Sequence, residues 1–360
     1  MSSIVQDRPY LDVDLLFANA VANPRPWLGP SFPSRAGHLL PPGAFVLGDA
    51  RMLDEAPIGV EVIAVGAASD WTQVEVAIDQ GLDTRLRALD RPVRFLAARW
   101  SNAAVELVER LEALDVPIDH DLVPRVLGGT VGYWNSKIGT AELLQSIPAV
   151  ASRLPPSTVV ASPAEAIAVA VSHGSATVLK ANGAIGGIGI VAVDPGVNPS
   201  DLRSQLQATS VGGATGKKAV VDLDGPYVLQ SVVGSERSWS PSLDFLVTAH
   251  ESSCIAAAEQ VLDGFRYQGA RFPGRTHEAG LTTCAELGGQ VAERVRELGY
   301  RGLLNLDFVV DGDEVWLIEI NARQSAPLDQ SLRMTAAYGA GWRDAHGFEL
   351  LEDDGNLAPW

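Results

Sequence analysis

The chain has 360 residues, more than a single hydrophobic core usually holds, so two or three subdomains are expected. Hydrophobic residues make up 46% of it and charged residues 20%, which is typical of a soluble globular protein. The 44 acidic and 27 basic residues give a net charge of −17 without any Lys/Arg cluster, which argues against nucleic acid as a partner.

The first 130 residues or so alternate strand-like and helix-like patterns. Short apolar runs typical of buried parallel strands lie at 44–49, 60–66 and 93–99. Helix-like stretches lie near 70–89 and at 101–114, where Ser101 is a good N-cap. This alternation predicts an α/β domain with helices on the faces of a sheet.

A proline-rich break at 153–157 separates this region from the next. After a short strand, the capping-box sequence at 162–165 predicts the start of a helix that runs to about residue 173. Two β-runs within 176–193 flank a glycine-rich turn and predict a hairpin whose tip, 183–189, is mobile. A helix near 199–208 and a polar glycine-rich stretch at 210–218 follow.

The last third predicts an antiparallel sheet. Strand-like runs lie at 226–234, 242–248 and 252–262. A helix over 282–298 precedes two apolar runs in 303–321, and the turn residues between those runs predict a hairpin. The final residues are polar and acidic and contain Trp342 and Trp360, so they either contribute to a substrate or dimer contact or form a loosely packed terminus.

Cysteine content and hydropathy indicate where the protein works. Cys254 and Cys284 are the only cysteines and form no CxxC pair, which excludes a disulfide scaffold and a zinc ribbon and fits a reducing cytoplasm. No apolar run approaches the roughly 20 residues that span a bilayer, and the first residues lack the pattern of a secretory signal. We therefore expect a cytoplasmic protein with no membrane partner.

Two lysines and a glycine-rich turn form a candidate phosphate-binding set. Lys137 precedes a helical run, and Lys180 ends the strand ATVLK. Four glycines follow at once: Gly183, Gly186, Gly187 and Gly189. Glycines let backbone N–H groups approach phosphate oxygens closely, and a lysine adds positive charge. The Walker and GxGxxG spacings are both absent, so the set depends on the order of its parts.

Polar residues on the predicted hairpin form a candidate metal-binding set. Asp307 and Glu319 lie 12 residues apart on opposite arms, and Asn321 shares the strand parity of Glu319. Carboxylate and amide oxygens are hard ligands that suit Mg²⁺ bound to substrate phosphates. Arg323 has the same parity, while Glu319 lies among apolar neighbours where a buried acid needs a partner.

The order of these motifs resembles the ATP-grasp superfamily over roughly residues 130–330. The similarity rests on VLKANGAIGGIGIV, YVLQSVVGSE and LDFVV…WLIEINAR, of which the last is the most specific. It implies an α/β (α+β) fold in which a Rossmann-like pre-ATP-grasp domain precedes a two-lobed ATP-grasp domain of antiparallel sheets with helices. The expected limits are 1–130 for the first domain, 131–340 for the second, with a lid at about 155–230 and a metal-binding lobe at about 231–340, and 341–360 for the tail.

The resemblance also implies roles for the site residues. Lys137, Lys180 and the glycine loop would bind ATP phosphates. Three residues would hold the adenine and ribose: Gln230, Val233 and Glu236. Asp307, Glu319 and Asn321 would hold two Mg²⁺ ions, for which Mn²⁺ is a possible substitute, and Arg323 would steady the transferred phosphoryl group. Gln230 departs from the family, in which many members carry Glu.

Three activities remain open at this point. The first is ATP-dependent carboxylate–amine ligation through an acyl phosphate, on an amino acid or short peptide and by analogy in natural-product biosynthesis. The second is carboxylase-type or kinase chemistry, and the third is a non-catalytic ATP-binding module. Arg271 is either a second anion clamp in the catalytic set or a solvated loop arginine. The expected partners are small molecules, and a homodimer is one possible assembly.

Overall fold

The computed structural model describes residues 11–18, 40–49, 59–65, 70–173, 175–183, 189–193, 196–209, 225–272, 279–338, 342, 348–351 and 357–359. The strands of these residues are β1 (Leu15–Phe17), β2 (Phe45–Asp49), β3 (Glu61–Val65), β4 (Val93–Ala97), β5 (Ile118–Asp119), β6 (Ser157–Val160), β7 (Thr177–Ala181), β8 (Ile190–Val193), β9 (Tyr227–Ser231), β10 (Pro241–Val247), β11 (Ser252–Asp263), β12 (Arg266–Phe272), β13 (Gly302–Asp311), β14 (Glu314–Asn321), β15 (Phe348–Leu351) and β16 (Leu357–Pro359). Their helices are α1 (Asp70–Asp79), α2 (Leu82–Arg87), α3 (Asn102–Ala113), α4 (Gly128–Trp134), α5 (Lys137–Gln145), α6 (Pro148–Ala151), α7 (Pro163–His173), α8 (Pro199–Thr209), α9 (Ala279–Glu297) and α10 (Ala326–Tyr338).

A parallel sheet of five strands occupies the N-terminal part, in the order β3-β2-β1-β4-β5. The three predicted strands are confirmed, whereas β1, only three residues long, was not predicted. The predicted helix near 70–89 is two helices, because Gly81 between them takes a left-handed conformation with φ of 77°. Ser101 caps α3 as predicted, since its side chain accepts a hydrogen bond from the Ala104 N–H. The N-terminal α/β fold is therefore confirmed.

A four-stranded antiparallel sheet follows, in the order β6-β9-β7-β8. Ser162 caps the helix as predicted, because the Glu165 N–H donates to Ser162 Oγ at 3.2 Å. The Glu165 carboxylate accepts from the Ala161 N–H at 2.7 Å, one residue before the position expected in a capping box. The predicted glycine hairpin is the β7–β8 pair. Residues 184–188 of its tip and the stretch 210–218 lie outside the described residues.

A seven-stranded antiparallel sheet completes the fold, in the order β14-β13-β10-β11-β12-β15-β16. The predicted hairpin is β13–β14, in which Asp307 lies opposite Glu319 and Asn305 opposite Asn321. Two strands of the predicted tail extend the far edge of this sheet. Trp342 is 2% exposed and donates its indole N–H to Thr335 Oγ1 at 2.9 Å. The described part of the tail is thus packed against the sheet and is not a loose terminus.

The parallel sheet and the seven-stranded sheet share one hydrophobic core. Leu15 and Phe95 belong to the same buried cluster as Leu304 and Ile320, together with residues of α3 and α9. A second cluster joins both sheets to α10. The four-stranded sheet instead buries its apolar side chains in a core of its own with α7 and α8. The limits predicted for the domains, lid and tail stay predictions, and none of the described helices is long and apolar enough to cross a membrane.

Candidate functional site

Polar side chains gather on one face of the seven-stranded sheet, around Asp307. Ser242 lies opposite Asp307 on the neighbouring strand and donates its hydroxyl to Asp307 Oδ1 at 2.8 Å. Asn321 Nδ2 donates to Asp307 Oδ2 at 3.1 Å and to Asn305 Oδ1 at 3.2 Å. Gln260 of β11 also donates to Asp307. Antiparallel pairing therefore brings Asp307, Glu319 and Asn321 together, as their strand parity predicts.

The two carboxylates of the hairpin differ in their electrostatic environment. Burial and the negative charge of Glu319 opposite raise the pKa of Asp307 to about 6. Burial alone would also raise the pKa of Glu319, but the positive charges of Lys137, Lys180 and Arg323 outweigh it and hold that pKa below its ordinary value. The pair therefore concentrates negative charge at a point where a cation would lower the repulsion.

Lys137 reaches this pair from the start of α5. Ser136 caps the helix, because its hydroxyl accepts from the Gly139 N–H at 3.1 Å. The Lys137 ammonium group forms an ion pair with Glu319, and both side chains are largely buried. The Asn182 backbone carbonyl, just beyond β7, accepts from the Lys137 N–H at 3.0 Å. The helix start is thus fixed between the hairpin and the four-stranded sheet.

Lys180 lies on β7 and is 6% exposed. Its ammonium group donates to Gln230 Oε1 on the adjacent strand at 2.6 Å. Burial lowers the pKa of Lys180 to about 8, and the positive charge of Lys137 adds to this effect. Two lysines that the chain separates by 43 residues are therefore close enough to repel each other, an arrangement that an anion would stabilise.

The other predicted nucleotide-binding residues lie around the ends of β7, β8 and β9 or outside the described residues. Val233 follows the end of β9 and is half-buried, while Glu236 is exposed in the next turn. Gly183 is exposed after β7, and Gly189 has a positive φ of 71° just before β8. Gly186 and Gly187 lie outside the described residues.

Arg323 extends the polar face beyond the end of β14. Its guanidinium donates from Nη2 to Asn321 Oδ1 at 2.8 Å, so it lies beside the predicted metal-binding set. Burial lowers the pKa of Arg323, although Glu319 and Asp307 act in the opposite direction. The positive charge of Arg99 also lowers that pKa, which places a second guanidinium within electrostatic range.

Arg271 is not brought to this face. It lies opposite Glu259 on the neighbouring strand and forms an ion pair with it at 3.8 Å. Glu259 in turn pairs with Pro241, one residue before Ser242, so the alternation of side chains places Glu259 and Arg271 on the opposite face of the sheet. The catalytic role expected for Arg271 stays a prediction that this position does not favour.

Further polar residues at the site were not predicted from the sequence, among them Arg99, Ser242, Asp244 and Gln260. Ser242 and Asp244 alternate on β10, and Asp244 Oδ2 accepts from Ser325 Oγ at 2.8 Å. Burial raises the pKa of Asp244 to about 7. The polar residues at the first and third positions of the otherwise apolar run SLDFLV were the available signal for this pair. Arg99 stands at the end of a predicted strand, where parallel sheets commonly bind ligands.

The donor set fits a magnesium–nucleotide complex. Asp307, Glu319 and Asn321 offer hard oxygen atoms side by side, and Lys137 and Lys180 place two positive charges next to them. No group of three or more His, Cys, Asp or Glu side chains that could hold a metal occurs among the described residues. A metal ion at this site would be held by the two carboxylates, the amide and oxygen atoms supplied by the nucleotide.

Comparison with known proteins identifies the class. A sequence profile described as an ATP-grasp domain matches residues 153–327. The fold and this match define an ATP-grasp domain. This match confirms, for residues 153–327, the resemblance seen in the motifs of the chain. No curated protein sequence gives a significant match.

Solved structures share the fold at low sequence identity. Carboxyaminoimidazole ribonucleotide synthase from Aspergillus clavatus, complexed with ATP, aligns with a TM-score of 0.56 and 14% identity over 88% of this chain and 71% of that one. The biotin carboxylase domain of the Hydrogenobacter thermophilus 2-oxoglutarate carboxylase aligns with a TM-score of 0.54 and 14% identity, over 91% of this chain and 70% of that one. These similarities show the fold and leave the reaction to be argued from the site.

Proposed function

We propose that the protein is an ATP-dependent ligase that joins a carboxylate to an amine through an acyl phosphate, with an amino acid or short peptide as substrate. The observation that carries this proposal is the meeting of two buried lysines with the carboxylates of the β13–β14 hairpin, beside Arg323. Such a set complements the charges of a nucleoside triphosphate and its metal ions, with lysines for the phosphates and carboxylates for the metal.

Each part of the site has a role in binding ATP. Lys137 and Lys180 would exchange their contacts with Glu319 and Gln230 for phosphate oxygens. Asp307, Glu319 and Asn321 would hold Mg²⁺, which when bound supplies charge neutralisation at the phosphates. Gln230, Val233 and Glu236 would lie along the adenosine. Burial of both lysines strengthens their interaction with an anion because little water screens it.

The proposed reaction has two steps. A carboxylate oxygen of the first substrate attacks the γ-phosphorus, a new O–P bond forms, and the bond to the leaving ADP oxygen breaks. The amine nitrogen then attacks the acyl carbon, the C–N bond forms, phosphate leaves with the C–O electron pair, and the amine proton passes to solvent. Arg323 would stabilise negative charge on the phosphoryl oxygens during the first step.

The proposal is tested by a phosphate-release screen with ATP, Mg²⁺ and panels of amino acids and dipeptides, followed by mass spectrometry of the products. We expect one amide for each ADP and phosphate. A substrate labelled with ¹⁸O in its carboxylate should transfer one ¹⁸O to the released phosphate, because the acyl C–O bond breaks in the second step. Glu319→Gln serves as the inactive control.

Other outcomes would identify a different activity. Bicarbonate-dependent turnover would indicate carboxylase-type chemistry, and a stable phosphorylated product would indicate a kinase. Tight ATP binding without turnover on any panel would favour a non-catalytic binding module. Each of these results would overturn the ligase proposal.

A further inference from the structure

Arg99 joins the parallel sheet to the hairpin site. It stands two residues after β4, at the carboxyl end of that strand, and is half-buried. It forms an isolated antiparallel bridge with Arg323. The Gln324 N–H donates to the Ala98 carbonyl at 2.7 Å and holds the two segments together.

The bridge determines where the two side chains lie. Residues directly opposite in an antiparallel pair project from the same side, with Cβ atoms about 4.5–5.5 Å apart. Arg323 already contacts Asn321 on the polar face of the hairpin. Arg99 is therefore directed to the same side, and the two segments place like charges opposite each other, which by itself is unfavourable. An anion between the two guanidinium groups would reverse that cost.

We propose that Arg99 and Arg323 form a clamp for the carboxylate of the acyl-donor substrate. This inference rests on the ligase function proposed above. The lysines that would bind the ATP phosphates come from α5 and the four-stranded sheet, whereas Arg99 comes from the parallel sheet. The clamp thus draws on a different part of the fold from the two lysines, so that it can bind the first reactant while they bind the nucleotide. Arginine suits this role because its planar fork binds both oxygens of a carboxylate.

The clamp assigns a separate task to each arginine. Arg99 would hold one carboxylate oxygen throughout the first step, and this orients the other oxygen toward the γ-phosphorus. Arg323 lies next to Asn321 and would contact the phosphoryl oxygens as well as the carboxylate. Loss of Arg99 should therefore weaken binding of the carboxylate substrate and leave the nucleotide untouched.

The test compares Arg99→Gln with Arg110→Gln, a control on α3 where Arg110 pairs with Glu106 at the surface. We use the carboxylate substrate found by the screen. Its KM should rise about 10- to 100-fold in Arg99→Gln, because the variant loses a charged hydrogen bond to that substrate. KM for ATP should change less than twofold, and the control should behave as wild type. Arg99→Lys should be intermediate, since an ammonium group keeps the charge without the fork.

Two results would overturn the clamp. One is an unchanged KM for the carboxylate in Arg99→Gln, and the other is an equal rise in KM for ATP, which would indicate a general structural role. If no carboxylate supports turnover, the ligase proposal fails by itself, and the clamp is then tested by calorimetry with inorganic phosphate on protein saturated with MgADP. If phosphate binds the wild-type protein at least tenfold more tightly than it binds Arg99→Gln, the anion clamp is supported. Equal or undetectable phosphate binding refutes it.

Discussion

Lys180 carries a cost in stability that its proposed function explains. Its pKa of about 8 lies below the ordinary 10.5, because folding removes a charged group from water. Between these two pH values the unfolded chain keeps a proton that the folded protein has released, so stability rises with pH across this window. Below about pH 8 the full cost of burying the charged lysine is present.

The first prediction replaces this charge by an apolar side chain of similar length. Lys180→Met should raise the free energy of unfolding at pH 7 by on the order of 3 kcal/mol and weaken ATP binding by about 1.5–3 kcal/mol. Denaturant titrations of both proteins at pH 7 and pH 10 measure the first effect, and calorimetry with ATP measures the second. The gain in stability should shrink at pH 10, and an equal gain at both pH values would contradict the charge-based explanation.

The second prediction concerns protons at Asp307. Because its pKa is raised to about 6, a fraction of the nucleotide-free protein is protonated there in mild acid, and a cation must displace that proton. Affinity for MgADP should therefore fall as pH decreases below about 6, with proton release on binding visible in calorimetry in two buffers of different ionisation enthalpy. Asp307→Asn should weaken binding and reduce this pH dependence to the part that the ADP phosphate itself contributes. Asp313→Asn, at the exposed hairpin turn, is the control and should retain it.

The third prediction separates transition-state stabilisation from ATP binding at Arg323. A group that contacts charge mainly as it develops lowers the barrier without tightening the ground state. Arg323→Ala should reduce kcat by about 10²–10³-fold and change KM for ATP by less than about fivefold, with partial recovery in Arg323→Lys. A sharp rise in KM for ATP at near-normal kcat would instead identify Arg323 as a ground-state anchor.

The sequence could indicate some site residues and not others for a physical reason. Asp307, Glu319 and Asn321 were predictable because the hairpin places them by local parity, and the pairing in the structure agrees. Gln260 reaches the same site from β11, and Arg99 reaches it from the segment after β4, through pairings that no local pattern reports. The mutual contact of Lys180 and Gln230 was likewise hidden, since it depends on β7 lying beside β9.

At the scale of elements, the helix α5 determines where Lys137 lies. Gly139 passes so close to the preceding turn that a Cβ added there would lie 2.0 Å from the Tyr133 carbonyl oxygen. The helix can hold this position because glycine has no side chain. The sequence predicted a helical run after Lys137 but gave no sign of this close approach, which depends on how α4 and α5 meet.

The fourth prediction uses this contact. Gly139→Ala should shift α5, destabilise the protein by about 1–3 kcal/mol as overpacking does, and lower ATP affinity because Lys137 moves. Gly132→Ala in α4 is the matched control, since a Cβ there meets no atom within 4 Å. That control should be neutral or stabilising. Thermal unfolding and ATP calorimetry of both variants make the comparison. Equal stability and equal ATP affinity in the two variants would show that position 139 has room for a methyl group in solution.

At the scale of the whole molecule, the shared core makes the parallel sheet and the seven-stranded sheet interdependent. Alternating patterns predicted the strands of both sheets, but a pattern within one element does not say which distant surface will cover it. The structure shows that Leu15, Phe95, Leu304 and Ile320 lie in one cluster. The domain boundary predicted at residue 130 therefore separates two parts of the chain whose apolar side chains bury one another.

The fifth prediction follows from this interdependence. A chain restricted to residues 131–340 should be insoluble or bind an apolar dye strongly, because it would expose the side chains that the parallel sheet covers. A chain restricted to 153–231, which contains the four-stranded sheet with its separate core, should retain more secondary structure per residue. Circular dichroism and size-exclusion chromatography compare them, and a compact, cooperative 131–340 fragment would contradict the expected dependence.

The shared core also affects how the chain folds during its synthesis. Translation adds about 5–20 residues per second, so Ile320 would follow Leu15 out of the ribosome by roughly 15–60 s. During this interval the strands of the parallel sheet have left the ribosome, while the helix and strands that cover one of their faces have not yet been made. The apolar side chains of that face stay uncovered during this period, which is when the nascent chain is most exposed to aggregation.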